Sequence, residues 1–125
     1  MTRATAAIVP TVRVEKPWGH ELIWAHAERY VGKILHIRAG EALSLQYHRA
    51  KDETIMVLTG AMRLERFVEG EPPTVVVLGP RDPVHLPPGT RHRMTALEDT
   101  DVLEVSTPEL DDVVRLDDRY GRAGT

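Results

Sequence analysis

Four residues have types and spacings suited to coordination chemistry: Gln46, His48, Glu53 and His92. Gln46 and His48 stand two apart within GEALSLQYHRAKDETIMVLTG, the stretch from Gly40 to Gly60. On a β-strand that spacing places both side chains on one face with Ser44, and sends Leu43, Leu45 and Tyr47 to the other. Glu53 follows His48 by five residues, enough for the chain to turn and return as the next strand. His92 comes three residues after the tight turn Pro87-Pro88-Gly89. A neutral amide oxygen, two imidazoles and a carboxylate suit a borderline divalent metal: Zn, Mn, Fe, Co or Ni. Taken singly, His48 or His92 reads as an ordinary half-buried histidine; the four positions in register point to a metal.

The elements that must hold these residues are short. From Tyr30 onward, apolar segments are cut by Gly40, Thr59-Gly60, Glu69–Pro73, Gly79–Pro83, Pro87–Gly89 and Glu98–Asp101. The segments between predict strands near 30–38, 42–48, 53–59, 61–68, 74–78, 91–97 and 101–106, with Thr11–Val14 and Glu21–Ala25 as further candidates. No uninterrupted helical pattern of about a dozen residues lies between Tyr30 and Pro108. Many short strands at near-regular spacing imply an all-β sandwich or small barrel. Residues 1–12 are expected to be an N-terminal arm or edge strand, and 13–125 a single domain. The charged end, Glu109–Thr125, is expected to carry a short helical turn. Its apolar Val113, Val114 and Leu116 predict that it is nonetheless ordered against the body of the fold.

Bulk properties narrow the function class. A chain of 125 residues fits one domain, and such a domain buries about two thirds of its unfolded surface. There is no cysteine, which fits a reducing, cytoplasmic setting. A formal charge of -3 gives no reason to expect nucleic acid or an anionic membrane as partner. No apolar run approaches the ~18 residues of a membrane span, and the run near the N-terminus is too short for the core of a signal peptide.

The spacing Gly40-x5-Gln46-x-His48-x4-Glu53-x6-Gly60 resembles the first motif of the cupins, whose usual form has His where Gln46 stands. Pro87-x-Gly89-x2-His92 resembles the second. At average amino-acid usage the first motif arises by chance on the order of once per million starting positions. The resemblance implies a double-stranded β-helix, a jelly-roll barrel that holds a metal inside through these four positions. A narrower resemblance covers most of the chain. Lys16-Pro17-Trp18-Gly19-His20-Glu21, Leu43-Ser44-Leu45-Gln46-Tyr47-His48 and the tail from Asp111 to Arg122 are similar to blocks of the type II mannose-6-phosphate isomerases. Gln46 in particular marks that group. The chain departs from it where Lys51 replaces an Arg, Thr54 a His, Ile55 a Trp and Ala96 an Asn.

The resemblance implies aldose–ketose isomerisation of a phosphorylated sugar. A metal would polarise the carbonyl, and a base would reach the carbon-bound proton. Two candidates follow from the pattern. Lys33 interrupts the apolar face Val31, Leu35, Ile37; it either points into the barrel or is a solvated lysine on an edge strand. Glu104, with Val102 on its face, is either catalytic or a partnered structural carboxylate. A phosphate needs cationic donors, and Arg115 and Arg122 match the family's tail. Arg91 and Arg93 flank His92 and should face away from the interior. Trp18 and Trp24 are expected at an end of the core or a subunit contact. His20, His26, His36 and His85 have no metal spacing.

Two other functions fit the same ligands: a dioxygenase-like iron or manganese cupin, and a module that binds a sugar or small acid without turnover. Fold alone does not choose among them. Apolar residues on both faces of several segments predict a homodimer covering the outer sheet.

Overall fold

The computed structural model describes residues 5–124. The expected N-terminal arm therefore lies partly outside the described residues, as does Thr125. Eleven strands follow one another: Val12–Lys16 (β1), Gly19–His26 (β2), Val31–Ile37 (β3), Leu45–Tyr47 (β4), Glu53–Thr59 (β5), Met62–Phe67 (β6), Thr74–Leu78 (β7), Pro83–Leu86 (β8), Arg91–Ala96 (β9), Thr100–Ser106 (β10) and Val114–Asp117 (β11). They form two antiparallel sheets, β1-β2-β3-β10-β5-β8 and β11-β4-β9-β6-β7. The architecture is the all-β jelly-roll barrel expected.

Alternation decides what faces inward. In β3, Val31, Lys33, Leu35 and Ile37 are buried while Ile34 and His36 are half-exposed. In β5, Glu53, Ile55 and Val57 are buried, and in β10 Thr100, Val102, Glu104 and Ser106. The inward residues divide along the barrel axis. Ile37, Val57, Met62, Leu64, Met94 and Val102 form the apolar core. The ionisable inward residues cluster beyond it, where Lys33 is the register partner of Glu104, and Glu53 of Ser106.

The block around Trp18 has a packing explanation. Trp18 is buried in the core. Its carbonyl accepts the Arg38 N–H at 3.0 Å, and the Arg38 guanidinium donates to the Pro17 carbonyl at 2.6 Å. A Cβ at Gly19 would stand 1.8 Å from the His36 carbonyl oxygen, so only glycine lets β2 close on β3 there. Trp24 lies on the outer face, its ring over Gly32.

Three expectations are corrected. Residues 83–86, where Pro83 was expected to close a turn and no strand was expected, form β8; it is a sheet edge, where proline's missing N–H costs no ladder bond. The tail carries no helical turn: β11 pairs with β4, Val114 opposite Tyr47 and Arg115 opposite Gln46. Leu43, expected outside, is in the core, because β4 begins only at Leu45 and strand alternation does not extend back to it.

Gly19→Ala should destabilise the domain by about 3 kcal/mol, the upper end of overpacking costs. Denaturant unfolding would read this as a fall in midpoint at unchanged slope, and an unchanged midpoint would refute the close approach.

Candidate metal centre

Strand register brings three of the four expected ligands together. Glu53 opens β5, His92 is second in β9, and His48 directly follows β4. One ligating atom from each of His48, Glu53 and His92 lies within 4.8 Å of the other two, and all three residues are buried. The Nε2 atoms of His48 and His92 stand 3.4 and 3.5 Å from the same Glu53 oxygen. His48 Nδ1 donates to the Asp112 carbonyl and His92 Nδ1 to the Thr90 carbonyl, the latter at 2.9 Å. A proton held on Nδ1 leaves each Nε2 as a bare lone pair, the form that ligates metals. Both Nε2 atoms and both Glu53 oxygens are buried with no hydrogen-bond partner among the described residues. Orphaned polar atoms cost about 1–3 kcal/mol each, and a divalent cation would satisfy the two Nε2 atoms and the Glu53 oxygen they share, the other oxygen facing the Lys51 ammonium. The donor set therefore fits a metal ion.

Gln46 is the register partner of His92 and faces the same cavity. Its amide oxygen accepts the Ser44 hydroxyl at 2.7 Å, which orients it and leaves a second lone pair for a fourth bond.

Electrostatics support the metal-ready form. Burial alone would raise the Glu53 carboxyl; with the Lys51 ammonium among the opposing influences, it is held well below the usual carboxylate range. Burial pushes His92 below the ordinary histidine value despite the opposing pull of Glu53, which keeps the ring neutral.

Of the four ligand residues, Gln46 and His48 line a cavity of about 220 Å³. The same cavity is lined by Lys33, Glu104, Arg115 and Arg122, so all four remaining site candidates from the sequence meet the metal centre. Lys33 is buried, not a solvated edge lysine: its Nζ stands 3.3 Å from Glu21 and 4.0 Å from Glu104. Glu104 also meets the Lys51 Nζ at 3.3 Å, and Lys51 in turn lies 3.2 Å from Glu53. Glu21, Lys33, Glu104, Lys51 and Glu53 thus form one alternating chain of charge. Burial and the Glu53 charge push the Glu104 carboxyl up to about 7, against the opposing pull of the two lysines. For Lys51 burial works downward, but Glu104 and Glu53 outweigh it and raise the ammonium above its ordinary value. Sequence reasoning registered Lys51 only as a departure from Arg. Its one signal was its place two residues before Glu53, on the turn that carries the ligands. Glu21 gave no signal beyond its block.

Burial and the neighbouring Arg122 charge lower Arg115 from the usual arginine value. Arg122 is braced by Asp118 at 2.9 and 3.0 Å and stacks over Tyr120. Arg91, Arg93 and the other histidines lie elsewhere. Arg93 pairs with Glu65 and Asp117, and Arg91 rests on Tyr47. His85 bonds Asp52, and His36 bonds Asp101 beneath a stacked His20.

The family described as "Mannose-6-phosphate isomerase C-terminal" matches residues 5–118. The chain belongs to that family. Among curated relatives, mannose-1-phosphate guanylyltransferase ManC of Salmonella typhimurium is 37% identical over 117 residues, covering 87% of this chain and 23% of its own length. The chain therefore spans about a quarter of the length of the curated relatives it matches. Among solved structures, KdgF from Halomonas sp. aligns with TM-score 0.67 at 25% identity, covering 80% of this chain and 88% of its own. Oxalate decarboxylase from Bacillus subtilis aligns with TM-score 0.76 at 17% identity, over 91% of this chain and 33% of its own. The latter is a likeness of fold. Among the described residues, no helix is long and apolar enough to cross a membrane.

The purified domain should carry about one transition metal per chain by elemental analysis. His48→Ala and His92→Ala should each lose most of it, since a site missing one of its few ligands holds metal far more weakly. Full occupancy in both variants would exclude this centre.

Proposed function

We propose that the domain is a metal-dependent aldose–ketose isomerase acting on a phosphorylated sugar of the mannose 6-phosphate kind. The observation that carries this reading is one cavity in which the ligand residues Gln46 and His48 stand beside two arginines of the tail, Arg115 being the register partner of Gln46. A cavity of about 220 Å³ suits one monosaccharide.

In this reading Gln46, His48, Glu53 and His92 hold one divalent transition ion, which would polarise the substrate carbonyl. Arg115 and Arg122 anchor the phosphate by charge-assisted hydrogen bonds. Glu104 takes and returns the carbon-bound proton, a task suited to a group poised near neutrality. Lys33 holds Glu104 in place from the side of β3 and steadies the negative charge that ionisation leaves on it. Mn(II) centres are named for oxalate decarboxylase, a protein of like fold. The absence of cysteine supports a cytoplasmic setting.

The test is conversion of mannose 6-phosphate to fructose 6-phosphate, with and without chelator. Turnover that chelation abolishes and metal restores supports the reading. Sugar-phosphate binding without turnover would instead favour a binding module, and no binding of the sugar would favour a different metal enzyme. Arg115→Gln should raise KM by at least tenfold with metal content unchanged; a fall in stability alone, with KM spared, would make Arg115 structural.

We also propose a homodimer through the outer face of the six-stranded sheet. Leu22, Ile34, Leu103 and Met56 are register partners there, a continuous apolar row across four strands. Light scattering at micromolar concentration should give twice the chain mass, and a monomer would refute it.

A further inference from the structure

The segment after β10 does more than line the cavity. Asp112 sits just ahead of β11, and its carboxylate accepts three consecutive backbone N–H groups: Arg49 at 3.0 Å, Ala50 at 2.7 Å and Lys51 at 2.9 Å. These bonds hold the Asp112 carboxyl down at about 2. The same residue's main-chain carbonyl accepts the Nδ1–H of His48. One residue therefore fixes both the turn between His48 and Glu53 and the tautomer of His48. Nothing from β5 to β10 supplies either contact. The turn 49–51 has few other main-chain anchors: Asp52 N–H reaches Thr107, and the His48 carbonyl accepts the Gly89 N–H.

We propose that Asp112 is the positioning residue of the metal centre, and that docking of the C-terminal segment and metal binding are thermodynamically linked through it. The proposal rests on the metal site and not on the sugar chemistry. The physical argument is ordering. With the carboxylate in place, the turn, the His48 ring and the Lys51 stem are already set before an ion arrives. Without it, the turn loses three hydrogen bonds to an ionised acceptor, and the main-chain carbonyl that His48 bonds loses its anchor to that turn. Binding an ion must then order them. Linkage makes the effect reciprocal: an ion that favours the docked segment is itself held more tightly by it. Groups that orient a ligating histidine typically change metal affinity 10–100-fold when lost.

The experiment titrates chelator-stripped full-length protein with Co²⁺ and reads its visible ligand-field spectrum. Asp112→Ala should weaken Co²⁺ binding by at least tenfold and alter the spectrum, and Asp112→Asn, which keeps one acceptor oxygen, should recover part of both. Thr100→Ala serves as the control for general destabilisation. Thr100 is buried far from the ligands and bonds the Ala61 and Glu98 carbonyls, so its loss should lower Tm and leave Co²⁺ affinity unchanged. In the wild type, Co²⁺ should slow hydrogen exchange at the Arg49, Ala50 and Lys51 amides and across β11. Equal affinity in the wild type and Asp112→Ala, or equal losses in Asp112→Ala and Thr100→Ala, would overturn this inference alone. Failure of the wild type to bind Co²⁺ would overturn it together with the metal centre.

Discussion

A buried carboxylate sets the terms for this barrel. Glu53 is almost wholly removed from solvent, and two neutral imidazole nitrogens point their lone pairs at it. An ionised group in such a place is costly unless it is paired. Lys51 supplies one partner at 3.2 Å, without satisfying the oxygens as hydrogen-bond acceptors. Much of the surrounding structure can be understood as compensation: the lysine beside it, the second carboxylate beyond that lysine, and the second lysine beyond that. Two ammonium groups, Lys33 and Lys51, face three carboxylates, Glu21, Glu53 and Glu104. With neutral histidines the cluster is short of positive charge, and the shortfall falls on Glu104, whose carboxyl is pushed up to about 7.

The fold makes this tolerable by separating the interior along its axis. Ile37, Val57, Met62 and Val102 fill one end with apolar volume, and the ionisable residues occupy the other. Each strand contributes to both regions by the same two-residue alternation. The apolar end supplies the burial that offsets the polar end. The polar end is closed from the side by the tail, whose β11 completes the five-stranded sheet next to β4. Ligands, charge chain and arginines therefore belong to one enclosure, although they come from positions as far apart as Glu21 and Arg122.

Much of this was legible in the residues. Motif spacing gave His48, Glu53 and His92, because a period of two and a fixed turn length translate directly into a shared face. Lys33 and Glu104 stood out as charges on otherwise apolar faces, and the barrel interior explains why. What the residues hid has physical causes. Pro83 disguised β8, since proline reads as a break unless the strand is known to be an edge. The charges of the tail disguised β11, whose pairing with β4 depends on a neighbour some seventy residues earlier. Lys51 and Glu21 carry no local signal, because their importance arises from partners on other strands. Leu43 followed the wrong face because alternation was extended past the start of a strand that is only three residues long.

The position of Asp112 in the chain has a consequence for biogenesis. Every expected ligand has been synthesised once His92 is complete, yet the carbonyl that orients His48 and the carboxylate that holds the 49–51 turn follow about twenty residues later. A nascent chain can therefore close most of both sheets, including β4, β5 and β9, while its ligands remain unset. Such a chain has a barrel before it has a competent site. If Asp112 positions the ligands as proposed, the site matures only when the last strand docks.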